Sequence, residues 1–101
     1  MDIIAQSTLI RFWKRHADAE QPLKAWYREV SKAAWRTPQD IKAMYPSASF
    51  LADNRVVFNI GGNNYRLIAS VWYSGQRVFI KFIGTHAEYD RIAAATVEFK
   101  S

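Results

Sequence analysis

The fold is decided by residues 55–83, which read RVVFNI-GGNN-YRLIASVWY-SGQ-RVFIKFI. Three stretches rich in β-branched and aromatic residues alternate with two short segments of Gly, Asn, Ser and Gln, a pattern typical of strands and hairpin turns. Because strands joined by such short turns pair antiparallel, the stretch predicts a three-stranded meander. The predicted strands are Arg55–Ile60, Tyr65–Tyr73 and Arg77–Ile83.

Alternation within these strands predicts two different sheet faces. The face assigned to the core carries Val56, Phe58, Ile60, Leu67, Ala69, Val71, Tyr73, Val78, Ile80 and Phe82. The other face carries Arg66, Ile68, Ser70, Trp72, Phe79, Lys81 and Ile83. The two bases of the meander interior therefore share the face that we expect to be open.

Helical spacing precedes the meander. Ile3-Ile4 predicts a short first strand, and Ser7 is the expected N-cap of a first helix. Two apolar stripes have helical spacing. The first is Leu9, Phe12, Trp13 and His16, and the second is Leu23, Trp26, Tyr27, Val30, Ala33 and Ala34. We expect His16 to pack rather than to bind a ligand. Thr37-Pro38 is expected to start a short helix that Pro46 stops.

A capping box follows the meander. Thr85 and Glu88 have the required spacing, and they predict a last helix that runs through Tyr89, Ile92 and Ala93. Helices gathered on one face of an antiparallel sheet give an α+β architecture. The 101 residues are expected to form a single domain, 1–101.

Composition limits the function classes. Fourteen basic and nine acidic residues give a net charge of +5, which favours a polyanion, an acidic partner or a membrane surface. The absence of cysteine excludes a disulfide scaffold, a thiolate zinc site and a cysteine nucleophile, and two histidines exclude a multi-histidine metal site. With no signal-peptide pattern and no membrane-length apolar run, we expect a soluble, cytoplasmic protein.

Arg66, Lys81, His86 and Tyr89 are the candidate site residues. Arg66 and Lys81 are either bases on a solvated sheet face or the phosphate ligands of a concave one. His86 and Tyr89 follow the third strand, where a rigid scaffold commonly supports a site. Tyr89 either packs at the helix start or donates a hydrogen bond or stacks on a base. The cap does not account for His86, whose imidazole can move a proton.

A basic stripe on the second helix is a second candidate. Lys24, Arg28 and Lys32 recur every four residues, and Arg36 lies beyond them. The stripe is either an ordinary exposed helix face or a contact for nucleic acid.

Two motifs resemble those of HigB-type toxins of bacterial toxin–antitoxin pairs, which belong to the RelE-like superfamily. The first is Val57–Leu67, VFNIGGNNYRL, and the second is Gly84–Asp90, GTHAEYD. Residues 2–4, 32–38 and 41–47 match the same pattern, so the resemblance covers nearly the whole chain.

The resemblance implies a RelE-like fold and an mRNA endoribonuclease that works on translating ribosomes without a metal or other cofactor. It implies a HigA-type helix-turn-helix antitoxin as partner, operator DNA bound only through the antitoxin complex, and no membrane partner. In the implied mechanism a ribose 2′-OH attacks the adjacent phosphate. Arg66 then stabilises the phosphate, His86 is the base or acid, Tyr89 orients His86 or stacks on mRNA, and Lys81 is a supporting cation.

Under this resemblance the helix stripe Lys24, Arg28, Lys32 and Arg36 would grip ribosomal RNA. Two other functions remain open. A non-catalytic RNA-binding module would explain the charge, with Phe79 and Tyr89 stacking on bases, but it leaves the place of His86 unexplained. A degenerate toxin would act only as an interaction partner or regulator.

Overall fold

The protein is an α+β structure built on one five-stranded mixed sheet with the strand order β1-β5-β4-β3-β2. The computed structural model describes residues 1–98. The strands are β1 (Asp2–Ile4), β2 (Ser49–Phe50), β3 (Arg55–Ile60), β4 (Tyr65–Trp72) and β5 (Arg77–Thr85). The helices are α1 (Gln6–Arg15), α2 (Glu20–Lys32), α3 (Pro38–Met44) and α4 (His86–Tyr89), with a 3₁₀ turn at Ala17–Ala19.

The predicted meander is confirmed, since β3, β4 and β5 pair antiparallel in sequence order. Gly61 and Gly62 adopt φ of 62° and 69° in the first turn, a conformation that residues with a Cβ rarely take. The predicted first strand is also present, and it lies parallel to β5. Strand β2 was not predicted, because its two residues are too short to show an alternation.

The core lies between the sheet and the helices. Leu9 and Phe12 of α1 and Leu23, Trp26 and Val30 of α2 are almost fully buried against the meander face that was assigned to the core. His16 stacks on Phe12 with ring centroids 4.4 Å apart, so the prediction that this histidine packs is confirmed.

Three helix boundaries differ from the prediction. The N-cap of α1 is Ala5 without a side-chain bond, so Ser7 lies inside the helix. Helix α2 ends at Lys32, and the chain is extended at Ala33. Helix α4 ends at Tyr89 after one turn, and residues 90–96 follow as turns. The capping residues Thr37 and Thr85 are as predicted, each in a complete capping box.

A β-bulge in β5 corrects the predicted faces of Phe82 and Ile83. Ile68 pairs with Phe82, whereas its neighbour Ala69 pairs with Ile80, so Lys81 is the extra residue. An extra residue reverses the alternation beyond it. Phe82 therefore lies on the open face with Ile68, and Ile83 joins the main core.

The open face is not fully open, because residues 89–97 cross it. Val57, Ile68 and Phe82 form a second buried cluster on this face. Tyr89 of α4 and Ile92, Ala94 and Val97 of the following segment pack on this cluster. We call residues 90–98 the C-terminal strap.

Candidate active site

Arg66 and His86 meet on the open face of the sheet. Arg66 pairs with Gly84 across β4 and β5, and Tyr65 pairs with Thr85. Helix α4 begins directly after Thr85, so its first residue, His86, lies next to Arg66. The Arg66 Nη2 atom lies 2.7 Å from the His86 Nε2 atom.

Helix α4 holds His86 in place through its capping box. The backbone N–H of Glu88 donates to the Thr85 hydroxyl at 3.2 Å, and the backbone N–H of Thr85 donates to the Glu88 carboxylate at 2.8 Å. These bonds satisfy two donors that a helix start leaves unpaired. They also fix the direction in which the helix leaves the sheet, and with it the position of His86.

Tyr89 supports Arg66 rather than His86. The Arg66 guanidinium carbon lies 5.8 Å from the centre of the Tyr89 ring, within the range of a cation–π interaction. The Tyr89 ring in turn packs on Phe82, with ring centroids 6.5 Å apart. Tyr89 thus links the arginine to the apolar cluster of the open face.

Arg66 has hydrogen-bonding capacity that the described residues leave unused. Its Nη1 atom is shielded from solvent and has no hydrogen-bond partner among residues 1–98. Buried polar groups are nearly always paired, so an unpaired guanidinium nitrogen is a notable departure. A guanidinium only donates hydrogen bonds, and the complementary ligand is an anion such as a phosphate.

Gly84 makes room for this arrangement. A Cβ on Gly84 would lie 2.5 Å from Cζ of Phe82 and 3.2 Å from Cβ of Glu88. The strand next to Arg66 therefore passes directly under the Phe82 ring and the first turn of α4, where only glycine fits without displacement.

Lys81 is on the open face but away from this cluster. Lys81 is three residues before Gly84, the cross-strand neighbour of Arg66, which is about 10 Å along a strand. Its ammonium group binds the Glu98 carboxylate of the C-terminal strap at 3.0 Å. The structure therefore does not bring Lys81 together with Arg66, His86 and Tyr89.

The basic stripe lies on the other side of the molecule. Helix α2 packs on the core face of the sheet through Leu23, Trp26 and Val30, so its exposed side points away from the open face. Its first basic residue, Lys24, pairs with Glu20 at 2.5 Å. The remaining three bases, Arg28, Lys32 and Arg36, are exposed.

Sequence reasoning missed Arg55, which is 6% exposed. Its Nη1 donates to the carbonyl oxygens of Ala94 and Val97 at 3.2 and 2.7 Å, and its Nη2 donates to the Glu98 carboxylate at 2.9 Å. Glu98 thus lies between Lys81 and Arg55, and these two cations lower the pKa of its carboxyl. No local signal marks Arg55, because its partners come about 40 residues later.

Residues 1–98 contain neither a cluster of metal-binding side chains nor a membrane-spanning helix. No group of three or more His, Cys, Asp or Glu side chains in this range is arranged to hold a metal ion. No helix in the same range is long and apolar enough to cross a membrane.

Fold and site together define a class, namely small basic α+β proteins with an arginine next to a histidine on the open side of the sheet. Comparison with known sequences then gives the family. Residues 19–92 match the HigB-toxin family, described as the RelE-like toxic component of a toxin-antitoxin system. The chain belongs to this family.

Named relatives agree along nearly the whole chain. The chain is 31% identical over 96 residues to the mRNA interferase toxin HigB of Escherichia coli K12, covering 93% of this chain and 92% of that protein. It is 30% identical over 94 residues to the mRNA interferase HigB of Escherichia coli O6:H1, covering 91% of each. The predicted resemblance to HigB-type toxins is thus confirmed.

Proposed function

We propose that this toxin is an endoribonuclease that cleaves mRNA, and that Arg66, His86 and Tyr89 form its active site. The observation that carries the proposal is the 2.7 Å contact between Arg66 and His86, with a second Arg66 nitrogen left without a partner among the described residues. An anion ligand and a proton acceptor side by side are what RNA cleavage at a phosphate requires. The mRNA interferase names of the relatives support the same activity.

In the proposed reaction the ribose 2′-OH attacks the adjacent phosphorus. The O2′–P bond forms and the P–O5′ bond breaks, which gives a 2′,3′-cyclic phosphate and a 5′-hydroxyl. His86 takes the proton of the 2′-OH, and the leaving 5′-oxygen takes a proton from water. Arg66 stabilises the charge on the phosphate oxygens, and Tyr89 holds the guanidinium in place.

The outlying bases serve binding rather than chemistry in this proposal. Lys81, about 10 Å away along β5, contacts a neighbouring phosphate of the same strand. Lys24, Arg28, Lys32 and Arg36 contact ribosomal RNA from the helix side while the open face holds mRNA. In this arrangement the toxin contacts ribosomal RNA with its helix side and mRNA with its open face, and the ribosome is the expected site of cleavage.

As a toxic component the protein has an antitoxin partner, and we propose that this partner is a HigA-type helix-turn-helix protein. Operator DNA is then bound through the antitoxin and not by the toxin alone. Purification of the chain co-expressed with its genomic neighbour, followed by gel-shift on operator DNA, tests this. Operator binding by the toxin alone would contradict it.

Growth arrest and RNA mapping test the active site. The chain, Arg66→Ala and His86→Ala are each induced in a bacterial host without antitoxin. Arg15→Ala, which removes an exposed base at the end of α1, is the charge-matched control. New mRNA 5′ ends are expected for the chain and the control. Loss of an anion ligand or a general base is expected to reduce cleavage about 100-fold or more.

The alternatives give different outcomes. RNA binding without new 5′ ends, even with ribosomes present, would favour a non-catalytic binding module. A stable complex with the antitoxin and no effect of the free chain on translation would favour a degenerate toxin. Full cleavage by soluble Arg66→Ala and His86→Ala proteins would contradict the proposed site itself.

The ribosome contact has a separate test. A triple variant, Lys24→Ala, Arg28→Ala and Lys32→Ala, is compared with the chain on naked mRNA and on translating ribosomes. Cleavage on ribosomes should fall more steeply and become less salt-dependent, because fewer cations are released from the RNA on binding. Equal losses on both substrates would argue against a ribosome-facing stripe.

A further inference from the structure

The Asp90 carboxylate lies close to the His86 ring, and no other ion pair among residues 1–98 accounts for it. We propose that Asp90 is a positioning residue, whose carboxylate fixes the proton of His86 on Nδ1 and stabilises the ring when it becomes charged. The inference rests on the proposed function, in which His86 accepts a proton. It begins from the 3.8 Å distance between Asp90 Oδ2 and His86 Nδ1.

The contact with Arg66 determines which ring nitrogen carries the hydrogen. A neutral imidazole has one N–H donor and one acceptor nitrogen, whereas a guanidinium only donates. Since His86 Nε2 lies 2.7 Å from Arg66 Nη2, Nε2 is the acceptor. Neutral His86 therefore carries its hydrogen on Nδ1, the nitrogen that faces Asp90.

Packing does not explain the aspartate. Among residues 1–98, His86 is the only ion-pair partner of the Asp90 carboxylate, and the Asp90 side chain is 67% exposed. Asp90 follows the last residue of α4, where the backbone dipole disfavours a negative charge. Its backbone N–H donates to the His86 carbonyl, a bond that almost any residue at this position makes.

The two groups that face His86 have successive roles in the reaction. Before RNA binds, Arg66 from β4 occupies Nε2, and Asp90 after α4 faces the Nδ1 hydrogen. When a phosphate draws the guanidinium away, Nε2 is left unprotonated next to the 2′-OH. After Nε2 takes the proton the ring is cationic, and the adjacent carboxylate stabilises it.

Nitrogen-15 NMR of the free full-length protein tests the arrangement without RNA. At about pH 8.5, where an ordinary imidazole is neutral, His86 is expected to be mainly the Nδ1–H tautomer. In Asp90→Asn the ratio of Nδ1–H to Nε2–H should fall about 1.5- to 5-fold, the range of an exposed charge interaction. The control is Asp53→Asn, which removes one exposed carboxylate at a positive φ of 59° that asparagine tolerates.

Kinetics give the second measurement. Asp90→Asn should lower kcat for RNA cleavage by the same 1.5- to 5-fold and leave KM unchanged, because Asp90 does not touch RNA. Asp53→Asn should change neither. A predominant Nε2–H tautomer in the unmodified protein, or an Asp90→Asn protein indistinguishable from Asp53→Asn, would overturn the inference.

The two proposals fail in distinguishable ways. Absence of cleavage by a folded toxin would contradict the proposed function but leave the NMR result to decide the role of Asp90. Normal cleavage with an unchanged tautomer ratio and kcat in Asp90→Asn would instead remove Asp90 and keep the nuclease.

Discussion

Replacing the buried Arg55 with methionine should destabilise the protein without touching the proposed reacting groups. Methionine keeps much of the apolar stem but loses all three hydrogen bonds to the C-terminal strap. The carbonyl oxygens of Ala94 and Val97 then lose a charged donor, and each bond contributes about 1 kcal/mol. The ion pair with Glu98 adds less than about 1 kcal/mol, because the Glu98 side chain is 55% exposed and screened.

The expected loss in the free energy of unfolding is therefore about 2–3 kcal/mol. For a chain of this size this corresponds to a fall in Tm on the order of 10–20 °C. Urea denaturation followed by circular dichroism measures it. Arg91→Met, in the exposed first part of the strap, is the matched control and should lie within about 0.5 kcal/mol of the parent protein.

Hydrogen exchange shows where the stability is lost. If Arg55 ties the strap to the sheet, residues 92–97 should lose amide protection in Arg55→Met while the β3–β4 pairing keeps it. A loss below about 0.5 kcal/mol, or a loss of protection spread evenly over the sheet, would refute the view that Arg55 anchors the strap.

Three further predictions concern the cap, the glycine and the strap carboxylate. Thr85→Ala and Thr37→Ala should each cost about 1 kcal/mol in urea denaturation, but only Thr85→Ala should also reduce RNA cleavage, because its helix begins with His86. Gly84→Ala should cost about 1–3 kcal/mol and slow cleavage, since its methyl group would lie 2.5 Å from the Phe82 ring; a parent-like Tm and rate would contradict this. The pKa of the Glu98 carboxyl is lowered, so its ion pairs contribute stability that is present above the ordinary pKa of 4.5 and lost as pH falls below it. The free energy of unfolding, measured from pH 6 to 3, should therefore depend less on pH in Glu98→Gln than in the parent protein.

The meander was predictable because turn chemistry and alternation are local. Gly61 and Gly62 specify one hairpin, and Val56, Phe58, Leu67 and Ala69, which alternate along β3 and β4, fall on the face that packs on the helices. The capping boxes at Thr37 and Thr85 were predictable for the same reason, since each involves residues within one turn. Arg66 was placed on the correct face by the same alternation.

The bulge at Lys81 was not predictable, because residues 78–83 read VFIKFI and are apolar on both faces, so a shift of one residue leaves no trace in the pattern. The strands pair in register up to Ala69 and Ile80 and shift by one residue beyond them. Nothing within β5 marks the shift, which depends on its pairing with β4. Phe82 and Ile83 were assigned to the wrong faces as a result.

The C-terminal strap was mistaken for a longer helix. Tyr89, Ile92 and Ala93 have helical spacing, but the apolar residues of this segment pack on Val57 and Ile68 of the sheet. Tertiary packing decides a short segment of this kind, since one or two turns of helix have little stability alone. The role of Arg55 was not predictable from sequence, because its hydrogen bonds are made to this segment.

The bulge also fixes the parity of the hairpin between β4 and β5, meaning which residue of β5 lies beside each residue of β4 and on which face of the sheet it points. Extending the pairing of Ser70 with Phe79 without an extra residue would set Ile83 directly beside Arg66, in the space that Gly84 leaves for the guanidinium and α4. A one-residue insertion or deletion between residues 77 and 85 therefore exchanges the residue beside Arg66 and turns the start of α4 to the wrong side. Length changes in the turn at residues 73–76 leave that parity intact. When related toxins of different length are aligned, gaps belong in this turn and not in the strand that follows it.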